Sequence, residues 1–377
     1  TLLARSHEES STGSLLNLSG SATVEIVAAV ADIDNAYVRN WKHADEYGCV
    51  GVPGTNDTTN FQLALDDMSP GDGLLLRPGG VYTIQNAKLP GTFDQDLNYY
   101  LGCPGGTAVI RAIAGGDTDY LVCTERWLTA STNKTFAGQS WKVENIVFDA
   151  DSISEYALIL KSYQCTFKNC KFINGTVGGS LLTRQNQDTT LGTTAYNANN
   201  KFECCDWYGN ATYGFRNQGT AANDDDASTD GWIVDSSISG LNEAGDTAVT
   251  DYGIYLAGAP GWNVLGNHSF SCTVADFYVS NMTQGGAISN NIFEDLVIIG
   301  SVGTATIPVI GPANKFWTGV RVDYTADTSA ELVVFDGNVL SETVGGGISI
   351  PMGEVTVAPG EVLSDLQLTV GEGPSEE

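Results

Sequence analysis

The feature that most constrains the fold of this chain is a six-residue motif, apolar-x-Asn-x-x-aromatic, that recurs along its middle. Four full copies occupy residues 143–148, 167–172, 265–270 and 288–293, and three degenerate copies that lack the Asn occupy 202–207, 233–238 and 334–339. The last residues of successive copies are about 23 to 35 positions apart, and once about 46, a period typical of stacked-repeat proteins. The motif therefore predicts a solenoid with one copy in each coil.

Each copy has the composition of a β-strand rather than of a helix. The copies are short, contain β-branched and aromatic residues, and are bounded by Gly, Asn and Ser. In a coil of parallel strands equivalent residues stack, so Phe148 should lie over Phe172 and Trp207 over Ile238. The one double interval predicts a further coil without its motif between the last full copy and the last degenerate copy.

The same register assigns structural roles to several polar residues. Asn tolerates left-handed backbone geometry and can bond to Asn in the next coil. A corner ladder of this kind is expected at Asn145, Asn169, Asn267 and Asn290. On the outer face, Glu144, Lys168 and Glu203 should form a row of alternating charge. Lys171 should likewise lie beside Asp206.

The charge of the chain argues against some partners. The chain has 45 acidic and 17 basic residues, a net charge of −28 and a pI near 4.1. A field of that sign repels nucleic acid and anionic membranes. Molar salt would screen the self-repulsion, so the composition favours a halophilic or marine origin, with an ordinary acidic secreted protein as the alternative. No apolar stretch reaches the roughly 18 residues that span a bilayer.

The eight Cys match no zinc-binding pattern and include no Cys-x-x-Cys. Cys170 and Cys205 fall at one register of neighbouring coils, where small apolar residues would pack in the core. A disulfide in an extracellular protein is the alternative.

Residues before the repeats predict a helix that covers one end of the solenoid. Asp57 or Thr58 can cap a helix near 57–68 whose apolar residues share one face. An open solenoid end needs such a cap. The predicted organisation is an attachment arm or stalk at 1–40, the solenoid at 41–340, and a C-terminal β extension and tail at 341–377.

At residues 47–84 the sequence resembles the pectin-lyase-like right-handed parallel β-helix family, in the branch of viral tailspikes and polysaccharide-degrading enzymes. The resembling features are Tyr47-Gly48, the run 56–58, the amphipathic helix, and the run 76–82 that contains Pro78-Gly79. The resemblance implies an all-β fold, a right-handed single-stranded parallel β-helix with an N-terminal capping helix and a C-terminal β extension. The tailspike members imply a homotrimer. The family includes lyases, hydrolases and non-catalytic binders, so the fold alone does not determine the function.

Three insertions between strands are candidates for a binding surface. They occupy residues 185–200, 218–230 and 241–251 on consecutive coils, and we expect them to cluster as a wall or groove. Nearby aromatic residues could present flat faces to sugar rings. The candidate glycan-binding residues are Tyr208, Tyr213, Trp232, Tyr252 and Tyr255.

Catalysis by hydrolysis would require two carboxylates about 5 Å apart, or roughly 6.5 to 9.5 Å apart for inversion. The candidate acids are Asp149, Asp230 and Asp235, with Asp151 and Glu155 as further carboxylates. For lyase chemistry, Arg184 and Arg216 on successive coils are candidate bases, and the motifs Asn-Thr-Asp and Gly-His-Gly of polygalacturonase-type members are absent. The run Asp224, Asp225 and Asp226 could hold Ca²⁺ or another cation, and an acidic surface loop is the alternative.

These observations favour a virion surface spike, a tailspike-like receptor-binding protein that recognises host cell-surface glycans. Such a protein would be extracellular, would form a homotrimer and would attach to other virion proteins through its N-terminal arm. A secreted polysaccharide lyase or glycoside hydrolase is the first alternative, and a structural virion component without glycan binding is the second. The sequence leaves open whether the chain is an enzyme.

Overall fold

In the computed structural model of this chain, contacts divide the polypeptide into two units, Thr1–Asn35 and Ala36–Glu377. All residues described below belong to the second unit. The structure describes residues 40–91, 97–128, 139–184, 187, 197–218, 228–258, 261–280, 286–299, 309–317, 320–322, 334–335, 339–340 and 348–349. Nearly all of the predicted arm and of the predicted C-terminal segment lies outside these residues.

Three parallel sheets contain the strands of the described residues. Sheet A consists of Asn40–His43, Asp72–Leu75, Leu97–Gly102, Gln139–Glu144, Thr166–Lys168, Lys201–Glu203, Trp232–Val234, Asn263–Leu265, Ala287–Ser289, Val309–Ile310 and Val334–Phe335. Sheet B consists of Val81–Ile84, Ala108–Ala112, Ile146–Asp149, Lys171–Ile173, Asp206–Tyr208, Ser237–Ser239, His268–Phe270, Ile292–Phe293, Lys315–Phe316 and Val339–Leu340. Sheet C consists of Ala87–Leu89, Tyr120–Thr124, Tyr156–Leu160, Gly178–Leu182, Tyr213–Gln218, Tyr252–Ala257, Ala275–Ser280, Val297–Ile299, Val320–Val322 and Ile348–Ser349.

The chain visits the three sheets in the fixed order A, B, C, and each strand pairs in parallel with the strand one turn later. We number the coils by their sheet A strand, from coil 1 at Asp72–Leu75 to coil 10 at Val334–Phe335. Asn40–His43 extends sheet A beyond coil 1. This winding confirms the predicted all-β, right-handed, single-stranded parallel β-helix.

The interior is built from columns of stacked aromatic rings. The ring centroids of Phe148 and Phe172 are 5.3 Å apart with planes 1° from parallel, and Trp207 continues the column at 5.3 Å from Phe172. Trp207 pairs with Ile238, as predicted. The coil predicted to lack its motif is also present, because Phe316 pairs with Phe293 on one side and with Leu340 on the other. Each ring is fully buried and therefore contributes both apolar area and a ring-ring contact.

Coil 7 departs from the predicted register by one residue. Its inward position is Ser269, which pairs with Ile238 and Phe293, whereas Phe270 points outward and is half-buried. The corner of this coil is formed by Gly266 with φ +69°, one position earlier than the Asn of the motif. Because side chains alternate between faces along a strand, a shift of one residue exchanges inside and outside. The prediction that Phe270 is an inward anchor is therefore wrong, and in coil 10 it is Leu340 rather than Val339 that pairs with the inward Phe316.

The predicted Asn ladder divides into an outer corner and an inner column. Asn145, Asn169 and Asn290 have φ of 60°, 51° and 58°, and the Asn169 Nδ2 donates to the Asn145 Oδ1 at 3.2 Å. These three confirm the corner. Asn267 instead belongs to the buried column that continues through Asn291, so its predicted place in the corner is wrong.

The inner column bonds one coil to the next through side-chain amides. The Asn291 Oδ1 accepts the backbone N–H of Asn267 at 2.9 Å, and the Asn314 Oδ1 accepts that of Asn291 at 3.0 Å. The Asn291 Nδ2 donates to the carbonyl of Val264 at 2.9 Å. All three amides are buried, and because both the oxygen and the nitrogen of each amide have a hydrogen-bond partner the polar column is accommodated inside the core.

The predicted capping helix is present as Thr58–Asp66. Phe61, Ala64 and Leu65 are buried against the first coil. The carboxylate of Asp57 does not bond to the helix, and accepts the backbone N–H groups of Val50 at 2.7 Å and of the next residue at 3.0 Å. A 3-10 turn at Ala44–Tyr47 and a short helix at Glu125–Leu128 are the other helical elements of the described residues.

The outer charges follow the predicted rows. Lys168 pairs in register with Glu144 and Glu203, and its Nζ lies 3.6 Å from the Glu203 carboxylate. The Lys171 Nζ lies 3.0 Å from the carboxylate of Asp206.

All eight Cys are free thiols, and all but Cys204 are buried, which agrees with packing rather than with disulfides. No helix among the described residues is long and apolar enough to cross a membrane.

The three insertions do not lie on one edge of the helix. Residues 185–200 and 218–230 connect sheet C to sheet A, whereas 241–251 connects sheet B to sheet C. The first two therefore follow the ends of sheet C strands, and the third precedes the start of one. The third insertion therefore leaves from a different corner than the first two, which the sequence interval between motifs does not show, and most of 185–200 and 218–230 lies outside the described residues.

We expect Asn291→Ala to destabilise the protein by about 2 to 4 kcal/mol. The substitution leaves buried backbone groups of Asn267 and Val264 without partners, at about 1 to 3 kcal/mol for each group. Chemical denaturation followed by circular dichroism measures the change. Asn290→Gly is the matched control, because glycine adopts the left-handed corner freely, and should change the midpoint little. Equal midpoints for the two variants would contradict the role of the inner column.

Candidate functional site

The outside of sheet C is covered in coils 2 to 4. A small apolar cluster forms there around Tyr120, Cys123, Trp127, Tyr156 and Ile159, all of them buried. The ring of Trp127, which the short helix Glu125–Leu128 supplies, packs edge-on against Tyr120 at 5.4 Å. This cluster ends where coil 5 begins.

In coils 5 to 7 the same side of sheet C carries a patch of half-buried rings. We call Tyr213, Tyr252, Tyr255 and Tyr278 the tyrosine face. The rings of Tyr255 and Tyr278 stack with centroids 4.5 Å apart and planes 5° from parallel, and those of Tyr213 and Tyr252 stack at 5.7 Å and 17°. Edge-on contacts at 5.1 to 5.9 Å join the two stacks. The four rings therefore form one connected aromatic surface.

Glycines at the strand starts bring the coils of this face close together. A Cβ on Gly214 would lie 2.6 Å from the carbonyl oxygen of Gly253, and a Cβ on Gly253 would lie 2.6 Å from that of Asp276. Real Cβ atoms do not approach so closely, so these positions require glycine. Tyr213 directly precedes Gly214, and Tyr252 directly precedes Gly253. The two tyrosines are paired in register on neighbouring coils.

Arg216 is fixed on the tyrosine face by three different contacts. Its guanidinium carbon lies 4.5 Å from the ring centroid of Tyr213, its Nη1 donates to the hydroxyl of Tyr156 at 2.6 Å, and its Nε donates to the Gln218 Oε1 at 2.8 Å. Burial raises the pKa of Tyr255, and the neighbouring Tyr278 raises it further. This hydroxyl therefore stays neutral and can donate a hydrogen bond.

A cleft of about 500 Å³ lies beside the tyrosine face, at the connections from sheet B to sheet C in coils 3 to 6. We call it the carboxylate cleft. Its lining includes Asn174 and Glu243, and the Asn174 Nδ2 donates to the Asp149 Oδ1 at 2.9 Å and to the Glu243 Oε2 at 3.3 Å. Asp149 is 1% exposed and its Oδ2 accepts the Nε–H of Arg111 at 2.7 Å.

Asp151 is a second kind of carboxyl beside this cleft, because it precedes the lining residue Ser152 and lies near Glu243. Partial burial raises its pKa, and the nearby Asp149 raises it further while Arg111 lowers it. An ion-paired carboxylate beside a carboxyl with a raised pKa is the arrangement that general acid and base catalysis uses. The sequence candidate Asp149 is thus placed with Asp151 and Glu243.

The cleft and the tyrosine face are adjacent parts of one surface. Ala211 and Val249 line the cleft and precede Tyr213 and Tyr252 by two and three residues. A ligand that lies along the start of sheet C would therefore contact both.

The other aromatic candidates lie on different faces. Tyr208 ends a sheet B strand beside Gly209 of the cleft lining, with the Lys171 Nζ 5.8 Å from its ring centroid. Trp232 points outward from sheet A. Tyr278 was missed in the sequence, although its register with Tyr255 could have indicated it once the strand at 275–280 was recognised.

The remaining candidate acids and bases are not brought to Asp149. Asp235, with φ 50°, forms the exposed corner between sheets A and B, and Asp230, with φ 53°, forms the corner before Trp232. Arg184 follows the sheet C strand of coil 4. Asp224, Asp225 and Asp226 lie outside the described residues. Within the part of the chain that the structure describes, no group of three or more His, Cys, Asp or Glu side chains is placed to hold a metal ion.

A buried carboxyl that the sequence did not indicate lies inside coil 7. Asp276 is fully buried, its Oδ2 accepts the backbone N–H of Asp295 at 2.8 Å, and its Oδ1 has no protein partner. Burial raises its pKa to about 7, and the carboxylate of Asp295 also raises it. The thiol of Cys272 lies beside it, and Glu294 is the acidic neighbour of Asp295.

Solved structures with the same fold include polysaccharide-active proteins. An alginate lyase from Paenibacillus sp. str. FPU-7 superposes with a TM-score of 0.53 at 12% identity, over 82% of this chain and 98% of the lyase. A tailspike protein of Acinetobacter baumannii bacteriophage Fri1, described as a capsular polysaccharide depolymerase, superposes with a TM-score of 0.50 at 13% identity. That match covers 82% of this chain and 62% of the tailspike.

No protein-family model matches the chain, and no curated protein sequence is significantly similar to it. At 12 to 13% identity the structural likeness shows a shared parallel β-helix and nothing about activity. The resemblance inferred from residues 47–84 and the repeats is confirmed at the level of the fold.

We expect Asp276→Asn to remove a pH-dependent loss of stability. The folded-state pKa of about 7 exceeds the ordinary value of 3.8. The folded state therefore binds the extra proton between these values, and stability falls as the pH rises from about 4 to about 7. A shift of this size corresponds to about 4 kcal/mol. Melting temperatures of both proteins across this range measure the difference.

The matched control is Asp235→Asn, which removes one charge from an exposed corner. Its melting temperature should follow that of the unmodified chain at every pH. If Asp276→Asn and the unmodified chain lose stability in parallel between pH 4 and 7, Asp276 does not hold a proton in the folded state.

Proposed function

We propose that this chain is a receptor-binding spike of a virion surface that holds a host cell-surface glycan on its tyrosine face. The observation that carries the proposal is the connected set of four half-buried tyrosine rings with Arg216 fixed among them. Rings of this kind present flat apolar surfaces to the C–H faces of sugars and hydroxyl groups to their oxygens.

The rigidity of the tyrosine face favours the binding of a glycan. Tyrosine has few rotatable bonds, so ordering it on contact costs little conformational entropy. The rings already stack on one another and on Arg216, and the sheet beneath them is rigid, so the surface is organised before a ligand arrives. Its length of three coils corresponds to roughly 10 Å along the helix axis, at about 4.8 Å per coil, which suits an extended oligosaccharide.

The remaining parts of the proposal follow from composition and resemblance. A net charge of −28 suits an extracellular protein of a halophilic or marine virus, because concentrated salt screens the self-repulsion. The tailspike resemblance supports a homotrimer at the virion surface. Residues 1–40 would attach the spike to other virion proteins, and 341–377 would form a C-terminal extension. No role for nucleic acid or a membrane is proposed.

We expect Tyr255→Ala to weaken glycan binding at least about tenfold, which corresponds to about 1.4 kcal/mol. The substitution removes the central ring that contacts Tyr213, Tyr252 and Tyr278. Retention of labelled host envelope polysaccharide on immobilised protein measures the effect.

Trp232→Ala is the matched control, because it removes an outward aromatic ring from sheet A rather than from sheet C. It should retain the polysaccharide as the unmodified chain does. A loss with Trp232→Ala and none with Tyr255→Ala would place the binding surface on sheet A and contradict the proposal.

A second function is favoured by the carboxylate cleft. Glu243 lines the cleft, Asp151 and Asp149 lie at its coil 3 end, and the cleft adjoins the tyrosine face, so a bound chain could extend into it. There the carboxyl of Asp151 could protonate a leaving oxygen while an ionised carboxylate assists. The chain would then be a polysaccharide depolymerase, as part of a spike or as a secreted enzyme.

We expect Asp151→Asn to reduce any depolymerase activity by about 100-fold or more, because the amide cannot transfer a proton. Binding should be retained, and Asp246→Asn in the same connection as Glu243 should be fully active. Size-exclusion chromatography of the polysaccharide measures chain shortening. No shortening by the unmodified chain would exclude the second function, and shortening by a monomer of 39.8 kDa would replace the spike proposal with a secreted enzyme.

A further inference from the structure

We infer that the glycan held by the tyrosine face is uncharged, and that the site rejects polyuronates and other polyanionic chains. The inference rests on the proposed function and defines the substrate class of the same site. It follows from where the charges lie around the four rings.

An acidic rim borders the start of sheet C. In three coils the residue immediately before the first outward tyrosine is acidic. These pairs are Asp119 with Tyr120, Glu155 with Tyr156, and Asp251 with Tyr252. Asp251 borders the tyrosine face directly through Tyr252, whereas Glu155 and Asp119 lie on the same edge of sheet C two and three coils before the first ring, Tyr213.

The rim carboxylates influence one another. The pKa of Glu155 is raised first by partial burial and then by the carboxylates of Asp119 and Asp117. The Gln187 side-chain amide bridges Asp117 and Asp119, with its Nε2 3.2 Å from the Asp119 Oδ2, and so fixes them without neutralising either. The Asp251 Oδ1 accepts the hydroxyl of Thr273 at 2.6 Å, which is likewise a neutral partner.

The carboxylate cleft extends this acidic border. Arg111 neutralises the buried Asp149, and Lys171 is engaged by Asp206 at 3.0 Å. The carboxylate of Glu243 accepts a hydrogen bond from the neutral amide of Asn174 beside the cleft, and this partner carries no positive charge. An anionic chain lying from the cleft onto the rings would therefore meet Glu243 and the rim.

The positive charge of Arg216 does not cancel the negative potential of these carboxylates. Three of its donors are directed to Tyr156 and Gln218, and its plane lies against Tyr213. Its contacts therefore hold the rings in place, and it contributes one positive charge on a side of the helix whose edge and cleft carry the carboxylates of Asp119, Glu155, Asp251 and Glu243. Repulsive charges at the border of an interface set which partners are rejected, while the apolar centre supplies affinity.

The charge effect has a distinctive salt dependence. Charges are screened beyond roughly 10 Å at 0.1 M salt and beyond roughly 3 Å at 1 M. Ring stacking does not depend on screening. Binding of an uncharged glycan should therefore change less than about threefold between these conditions, whereas rejection of polyanions should weaken at 1 M.

The test uses affinity electrophoresis against immobilised polysaccharides in two sets. The neutral set contains dextran, mannan, galactan and arabinoxylan, and the acidic set contains alginate, polygalacturonate and hyaluronate. At 0.1 M salt we expect retardation by at least one neutral polymer and by no acidic polymer. Tenfold tighter retention by an acidic polymer would overturn the inference while leaving glycan binding itself intact.

Retardation by none of the seven polymers, nor by host envelope polysaccharide, would remove the proposed function and this inference together. Host polysaccharide that binds is separated by anion exchange, and binding confined to its acidic fraction also overturns the inference.

A charge-removal variant tests the rim directly. Glu155→Gln with Asp251→Asn removes two rim charges without shortening either side chain. We expect alginate to retard this variant measurably at 0.1 M salt, where it does not retard the unmodified chain, with less than a twofold change for the neutral polymer. The matched control, Glu46→Gln with Asp66→Asn, removes two charges near the capping helix and should leave both unchanged.

Equal behaviour of the rim variant and its control towards alginate would show that the rim does not set selectivity. A gain at 0.1 M that disappears at 1 M is the expected electrostatic signature, because screening already removes the rejection in the unmodified chain. Melting temperatures of both variants confirm that they are folded before retention is compared.

Discussion

The register between parallel strands of successive coils is the constraint on which the rest of this structure depends. Parallel strands lie about 4.8 Å apart, so equivalent side chains on consecutive coils must contact one another. Inside, the rule stacks Phe148 on Phe172 at 5.3 Å; outside, it stacks Tyr255 on Tyr278 at 4.5 Å. The core and the proposed binding surface are therefore two consequences of a single geometry, and a surface built this way inherits the rigidity of the sheet beneath it.

Two structural features of the corners maintain this register. An outer residue in the left-handed region turns the chain, as at Asn145 and Asn169, and an inner amide bonds each coil to the next, as at Asn291. Glycine at 266 performs the outer role in coil 7, and the strand that follows it turns Ser269 rather than Phe270 towards the core. Small changes at a corner thus decide which residues of a strand face the core and which face a ligand.

The proposed site combines these elements with an unusual distribution of charge. Apolar rings and a fixed Arg216 occupy the centre, and carboxylates occupy the strand starts and the neighbouring cleft. Part of this could be predicted: Tyr213, Tyr252 and Tyr255 were identified as aromatic candidates, and Asp149 as an acid. Asp151 was also among the carboxylates named from the sequence. Tyr278 and Glu243 were not identified, because nothing in their local sequence shows which coil or corner lies next to them.

By itself, the sequence determined the solenoid, its β character, the inward column from Phe148 to Trp207 and the outer ion pairs, because each depends on a short motif with a fixed period. Only the tertiary structure decided the slip at Ser269, the separate place of Asn267, and the corner at which each insertion lies. The physical reason is that a strand's alternation is local, whereas register between coils also depends on the number and conformation of corner residues. Which tyrosines and carboxylates share one surface follows from that register.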